Sequence, residues 1–278
     1  MENNEAKNVF AVEKSRLLAL EARRIILQMT HKANASHVGS SLSVVDVLAV
    51  LYSGGANINP QNCFSPNRDV IILSKGHAAA AIYAILALKE FFPVSRIQDY
   101  CVDGSSLGGH ITHENNPGIE LSTGSLGHGL PYGIGVAFSQ KMMNLQSKTF
   151  VIVSDGECDE GTTWESALLA QQFKLDNLVL IIDRNHIQSL SFTESTVALE
   201  PLADKWRSFN WEVLSIDGHS HSEIYESIQT AKKPLCIIAD TTKGKGISFM
   251  ENSVLWHYRS PTDSDLTNAL QELETETK

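Results

Sequence analysis

The sequence lacks the features that mark secreted, membrane-inserted or nucleic acid-binding proteins. Its 278 residues include four cysteines, which show neither close pairing nor zinc-site spacing: Cys63, Cys101, Cys158 and Cys236. We therefore expect free thiols in a reducing cytoplasm. No apolar run reaches membrane-spanning length, and the polar, acidic start at residues 2–5 is not that of a signal peptide. The formal net charge of −10 argues against nucleic acid and against an anionic membrane as partners.

Common nucleotide-binding motifs, internal repeats and low-complexity linkers are also missing. No Gly-x-Gly-x-x-Gly follows a predicted strand. The glycine turn at residues 241–246 contains Lys243, which suits a phosphate, but the turn lacks the full spacing of a P-loop. Because the chain has no linker and is 42% hydrophobic, we predict that residues 1–278 form one large α/β domain.

What the chain does contain is a series of short β-branched runs separated by helical segments, the pattern of a parallel sheet with helices on both faces. Strands are predicted at residues 69–73, 150–153, 178–182, 211–216 and 235–240. Helices are predicted at residues 9–32, 44–52, 79–90, 133–142, 204–209, 222–231 and 263–278, and in a segment that ends at 174. Ser43 is the predicted N-cap of the second helix. Residues 103–133, dense in Gly, Ser and His, are predicted to be a functional loop.

Asp155 and Asn185 each follow a predicted strand, so both are expected at the edge of the sheet where ligands bind. Mg²⁺ prefers oxygen ligands, which a carboxylate of Asp155, an amide oxygen of Asn185 and a backbone carbonyl of Ile187 would supply. Gly156 allows close approach of the backbone to a diphosphate, and the helix that follows points its positive end the same way. Taken singly, Asp155 as a helix cap and Asn185 as a turn residue are simpler interpretations.

Together, Asp155-Gly156 and the Asn185 that follows thirty positions later resemble the thiamine diphosphate motif. The run Asp-Gly-Glu-Cys-Asp-Glu-Gly at 155–161, with Trp-Glu at 164–165, is similar to the N-terminal half of the transketolase family. One departure is Ser154, where the family usually has Gly. The resemblance implies a doubly wound, mostly parallel α/β fold that binds thiamine diphosphate with Mg²⁺, Ca²⁺ or Mn²⁺.

Further loops resemble the same family and imply the remaining site residues. Three substrate-facing imidazoles are expected to be catalytic: His37, His110 and His257. Cofactor contacts are expected from Ser40, His77, Gly124, Ser125, Leu126, Asp155, Gly156, Glu157, Asn185, Lys243 and His257. The loops depart from the family pattern at Ala35, Val38 and Ile111. The spacing of His110 and His113 also allows a metal site, but no Cys, His or carboxylate cluster accompanies the pair.

The resemblance implies transfer of a two-carbon ketol unit from a ketose or ketose phosphate to an aldose. The family's pyrimidine-binding domain lies beyond the matching region, so we expect it on a separate C-terminal subunit, in an α2β2 heterotetramer. Glu160 and Glu165 match acidic residues near the family's dimer interface, and as plain helix-surface carboxylates they would need no such role. Two alternatives remain open: the alpha subunit of a 2-oxoacid dehydrogenase first component, and a non-catalytic partner subunit.

Overall fold

The computed structural model describes residues 2–229 and 232–275. Its strands are β1 (Val70–Leu73), β2 (Thr149–Ser154), β3 (Leu178–Arg184), β4 (Glu212–Asp217) and β5 (Leu235–Asp240). They form one sheet in the order β1-β2-β3-β5-β4, and each pair of neighbours is parallel. The predicted parallel sheet is therefore confirmed.

Helices connect and cover these strands. They are α1 (Glu2–Lys32), α2 (Val38–Val50), α3 (Ala79–Leu88), α4 (Gly129–Met142), α5 (Gly161–Gln172), α6 (Thr193–Thr196), α7 (Leu202–Ser208), α8 (His221–Ser227) and α9 (Asp263–Thr275). Between Tyr100 and His128 the chain forms neither helix nor strand, as the density of Gly and Ser predicts. This long loop lies over the carboxyl end of β1, since Thr123 donates its hydroxyl to the carbonyl of Leu73 (2.8 Å).

Two hydrophobic cores lie on opposite faces of the sheet, because successive side chains of a strand point to opposite sides. On β2, Phe150 and Ile152 face one core, which α1, α2, α3, α8 and α9 complete. Val151 and Val153 face the other core, which α4, α5 and α7 cover. Helices on both faces confirm the doubly wound α/β class that the motifs implied.

The segment Val38–Gly55, which includes α2 and a following π-helical turn, corrects one expectation. By length and composition it is apolar enough to cross a membrane, whereas the sequence analysis found no run of that kind. In the fold, 83% of this segment is buried. A helix that is apolar on all sides is expected where neighbours cover all of it, and α1 and α3 pack against α2. Its composition is therefore that of a core helix.

Several element boundaries differ from the predictions, and one difference changes the site. Helix α2 begins at Val38, six positions before the predicted start, so Ser43 is not an N-cap. Burial of its small residues outweighs their weak helix propensity. The hydroxyl of Ser43 instead donates to Asp183 Oδ2 (2.7 Å), which lies in β3. The prediction of Ser43 as a cap was therefore wrong, and the residue links α2 to the sheet edge.

The other differences lie at element ends, where sequence patterns are least decisive. Helix α1 starts at Glu2 instead of 9, and α4 starts at Gly129 instead of 133. The segment 188–202, predicted as a loop, contains the short helix α6. The predicted ends of two helices, at 231 and at 276–278, lie outside the described residues.

Candidate active site

A cavity of about 360 Å³ lies at the carboxyl ends of β2 and β3. Twelve of the predicted site residues line it: His37, Ser40, His77, His110, Gly124, Leu126, Asp155, Gly156, Asn185, Ile187, Lys243 and His257. Ser125 and Glu157, both predicted to contact the cofactor, do not line the cavity. The neighbouring strands place Asp155 and Asn185 together, because β2 pairs with β3 in parallel register.

Four imidazoles converge on one side of this cavity, although they come from four separate segments. The ring centroid of His37 lies 5.3 Å from that of His77, 5.5 Å from that of His110 and 5.0 Å from that of His257. His37 precedes α2 in a left-handed conformation (φ 71°), which non-glycine residues adopt rarely. Its backbone N–H donates to the carbonyl of His257 (2.8 Å), and this hydrogen bond fixes the two imidazole-bearing segments to each other.

The electrostatics of the cavity favour an anion. Burial, followed by the charges of His110, Lys243 and Lys75, lowers the pKa of His37 to about 4. Burial and neighbouring cations likewise lower the pKa of His257 to about 3 and hold that of His77 well below its ordinary value. At neutral pH these three imidazoles are therefore uncharged. An anionic ligand would offset the cations that depress these pKa values.

Lys243 is a buried cation at the centre of this site. Its side chain donates to Nδ1 of His257 (2.7 Å) and to the carbonyl of Ile187 (3.1 Å). Burial, followed by the charge of Lys75, lowers the pKa of Lys243 to about 7. The turn that carries it needs Gly244, which has φ +83°, and a Cβ there would collide with the carbonyl of Met250.

Asp155 is held by several donors and leaves one oxygen with a single partner. Its Oδ2 accepts hydrogen bonds from Arg184 Nη1 (3.0 Å), the N–H of His186 (2.9 Å) and the hydroxyl of Thr193 (3.1 Å). Its Oδ1 accepts one bond, from the N–H of Gly156 (2.8 Å). Burial raises the pKa of Asp155, and the guanidinium of Arg184 opposes that rise. A cation at Oδ1 would further favour the ionised carboxylate.

The orientation of Asn185 is set by its amide nitrogen. This nitrogen donates to Asp183 Oδ2 (3.2 Å) and to Ser43 Oγ (3.3 Å). The amide oxygen is thereby directed the other way, where it accepts the N–H of Ile187 (3.2 Å) and retains a second lone pair. The two oxygens of Asp155 and Asn185 and the Ile187 carbonyl make a mixed oxygen set of the kind that Mg²⁺ takes beside a phosphate.

The remaining polar groups test whether a diphosphate fits. The hydroxyl of Ser40 is buried at the cavity wall and has no hydrogen-bond partner within residues 2–229 and 232–275. A buried hydroxyl normally has one, so a ligand oxygen would satisfy it. The same residues contain no cluster of three or more His, Cys, Asp and Glu suited to a metal. The metal site expected from His110 and His113 therefore gains no support, and a cation would depend on the mixed oxygen set and the diphosphate.

Glu157 acts beneath the cavity, where the sequence expectation had placed it in contact with the cofactor. Its carboxylate accepts hydrogen bonds from the hydroxyl of Ser74 and from the N–H groups of Ser154 (2.8 Å) and Gly127 (3.0 Å). All of these donors belong to the protein, and Glu157 is fully buried. It therefore joins the ends of β1 and β2 to the loop that carries Gly124 and Leu126.

Sequence reasoning missed a second buried pair. Lys75 and Asp183 form an ion pair in which neither side chain is exposed. Lys75 also donates to the carbonyl of Ser40 (3.1 Å). The pair therefore supports both Ser40 and, through Asp183, the amide of Asn185. Both residues stand in the segments that the motifs singled out, but no local signal pairs residues 108 positions apart.

This fold and site define an α/β protein whose cavity suits a diphosphate-bearing anion and a hard cation. Residues 12–276 match the family described as transketolase, thiamine diphosphate binding domain. One of the two subunits of an apulose-4-phosphate transketolase from Actinobacillus succinogenes is 40% identical over 257 residues, which cover 91% of this chain and 93% of that protein. A 6-deoxy-6-sulfo-D-fructose transketolase subunit of a Clostridium species is 41% identical over 258 residues, with 91% and 94% covered.

The chain therefore belongs to the transketolase family, in its thiamine diphosphate-binding part. A crystal structure of transketolase from Campylobacter jejuni superposes with a TM-score of 0.85 at 28% identity and covers 95% of this chain. The superposition covers 43% of that transketolase, so this chain spans less than half of its length. These matches favour the transketolase interpretation over the 2-oxoacid dehydrogenase alternative.

Proposed function

We propose that this chain is the N-terminal subunit of a split transketolase, which transfers a two-carbon ketol unit from a ketose or ketose phosphate to an aldose. One observation carries the proposal: four imidazoles face Asp155 and Asn185 across a single cavity. Imidazoles suit a substrate with several hydroxyl groups, since each can donate or accept a hydrogen bond and exchange a proton. In this proposal His37, His110 and His257 face the sugar, and His77 lies toward the diphosphate.

Thiamine diphosphate, when bound, supplies the carbanion and electron-sink chemistry of the transfer. The chain binds its diphosphate with Ser40, His77 and Lys243, beside a backbone that Gly156 leaves open. Lys243 donates to Nδ1 of His257, so Nε2 of that ring is free to donate its proton to a sugar oxygen. In a neutral His37, one ring nitrogen can accept a proton from a sugar hydroxyl.

A divalent cation, Mg²⁺ in our proposal, would be held by Asp155, Asn185 and the carbonyl of Ile187. The Ile187 carbonyl now accepts a hydrogen bond from Lys243, so the cation and this ammonium would share it or compete for it. Calorimetric titration of thiamine diphosphate with and without Mg²⁺ tests the site. We expect Asp155→Ala to abolish the metal-dependent gain in affinity, whereas Asp204→Ala, at an exposed carboxylate on α7, should retain it.

The pyrimidine-binding half of the site is proposed to lie on a separate C-terminal subunit, with two copies of each chain in a cytoplasmic heterotetramer. Relatives named as transketolase subunits, with nearly the same length as this chain, support a divided enzyme. Glu160 lines the cavity, so it lies where a second chain could complete the site. The substrates are proposed to be sugars or sugar phosphates.

The deciding experiment assays ketol transfer with only this chain, with only a C-terminal subunit, and with the reconstituted pair. We expect transfer from a ketose phosphate to an aldose by the pair and not by either chain. Robust transfer by this chain without a partner would contradict the divided site. Turnover of pyruvate in place of ketoses would favour the 2-oxoacid dehydrogenase alternative, and a pair that binds no thiamine diphosphate would favour a non-catalytic role.

A further inference from the structure

Tyr258 stands at the mouth of the cavity, beside two of the four imidazoles. Its ring centroid lies 4.7 Å from that of His257, in an edge-to-face arrangement, and 6.0 Å from that of His37. The residue lines the cavity and is 57% exposed, so its ring borders both the imidazoles and the entrance. The sequence analysis noted this tyrosine within Trp-His-Tyr-Arg at 256–259 but gave it no role.

The backbone around Tyr258 is anchored on both sides. Trp256 is buried and donates its indole N–H to the carbonyl of Phe249 (3.0 Å). The N–H of Arg259 donates to the carbonyl of Leu255 (3.1 Å) and closes the turn. An aromatic side chain has two rotatable bonds, so a fixed backbone and a neighbouring imidazole restrict where its ring can lie. The ring therefore presents a defined surface to anything that enters the cavity.

The charge next to Tyr258 is already engaged. The guanidinium of Arg259 lies 4.9 Å from the ring of Trp256 and donates to Asp265 Oδ2 (3.1 Å). Arg259 is thus held away from the role of a free phosphate-binding cation at this edge. At the mouth, Tyr258 can discriminate by shape and by contact with C–H faces, as aromatic rings do in ligand pockets.

We propose that Tyr258 is a specificity-determining residue that limits the length of the sugar accepted at this site. The inference rests on the proposed function. A sugar whose reacting end lies among the imidazoles must extend its other end toward the entrance, where the phenol ring narrows the passage. Short aldoses end before the ring, whereas longer ones must pass it. The bulk of the ring carries this selection, and the hydroxyl is secondary.

The test uses the pair reconstituted with the C-terminal subunit, and compares glycolaldehyde with ribose 5-phosphate as acceptors. For Tyr258→Ala we expect the ratio of kcat/KM for the long acceptor to that for the short acceptor to rise about tenfold, the scale at which pockets discriminate small differences in size. Tyr258→Phe should keep the parent ratio. Leu255→Ala is the matched control, because Leu255 is an exposed residue of the same turn and does not line the cavity.

A ratio that stays within about twofold of the parent in Tyr258→Ala would overturn the proposal, and so would a Tyr258→Phe ratio equal to that of Tyr258→Ala. Calorimetry should give the same affinity for thiamine diphosphate in each variant. Equal loss of cofactor affinity and of turnover for both acceptors would also contradict a specificity role. Failure of the proposed function is distinct, since the parent pair would then transfer no ketol unit to either acceptor, and the length limit would fall with it.

Discussion

Asp46, in the middle of α2, is expected to be the most sensitive polar position outside the active-site cavity. It is 3% exposed and accepts two hydrogen bonds from Arg23 (3.0 and 2.6 Å). It also accepts one from Nδ1 of His219 (2.7 Å) and one from Nε2 of His221 (3.1 Å). This single carboxylate therefore joins α1, α2 and the segment between β4 and α8.

Asp46→Asn keeps the volume of the side chain but removes its charge. Arg23, itself 8% exposed, would then be a buried cation without its counterion. Breaking a buried pair in this way costs about 3–5 kcal/mol, or roughly 6–20 °C in Tm for a chain of this size. His219 also accepts the N–H of Thr242 (2.8 Å), next to Lys243. We therefore expect weaker thiamine diphosphate binding in addition to lower stability.

The pH dependence of this contribution follows from the pKa of Asp46. Burial alone would raise that pKa, but the charge of Arg23 and the hydrogen bonds from His219 and His221 hold it well below the ordinary 3.8. A group with a lowered native pKa binds fewer protons in the folded state, so its stabilisation is present above the ordinary value. The stabilisation is lost as the pH falls from there through the native pKa.

Urea unfolding of the purified chain measures the effect in Asp46→Asn, in Arg23→Met and in the double variant Asp46→Leu/Arg23→Met. Because the double variant leaves neither charge buried, it should lose less stability than the sum of the single changes. Single variants within about 1 kcal/mol of the parent, or strictly additive losses, would refute the argument that this pair is desolvated and coupled.

Three further outcomes follow from other buried groups. Gly76→Ala should weaken thiamine diphosphate binding, measured by calorimetry, because its Cβ would collide with the carbonyl of Thr123; unchanged affinity would argue against that close approach. Glu157→Gln should cost about 1–3 kcal/mol in urea unfolding, since an amide N–H would face the donor of Gly127 or of its neighbours, and a neutral result would contradict this. The lowered pKa of Lys243, about 7, means that stability rises with pH from there toward the ordinary 10.5, and Lys243→Met should abolish that rise in unfolding measured across this range.

The local pattern of the chain determined the sheet and the cofactor motif. Runs such as Phe150 to Val153 are β-branched or aromatic on both faces, which is required of a strand covered by helices on both sides. Asp155 and Asn185 follow two such runs, so their meeting at one edge required no knowledge of distant contacts. The start of α2 escaped prediction, because small polar residues favour loops unless burial is known, as at Ser40.

Only the tertiary structure decided which polar groups pair and which face the cavity. Glu157 belongs to the motif, yet its donors come from β1 and from a distant loop, so its role beneath the cavity cannot be inferred from spacing. Tyr258 lies 221 positions after His37 and is next to it in space. Hydrogen bonds and ring contacts act over a few ångströms, and chain folding alone determines which residues come within that range.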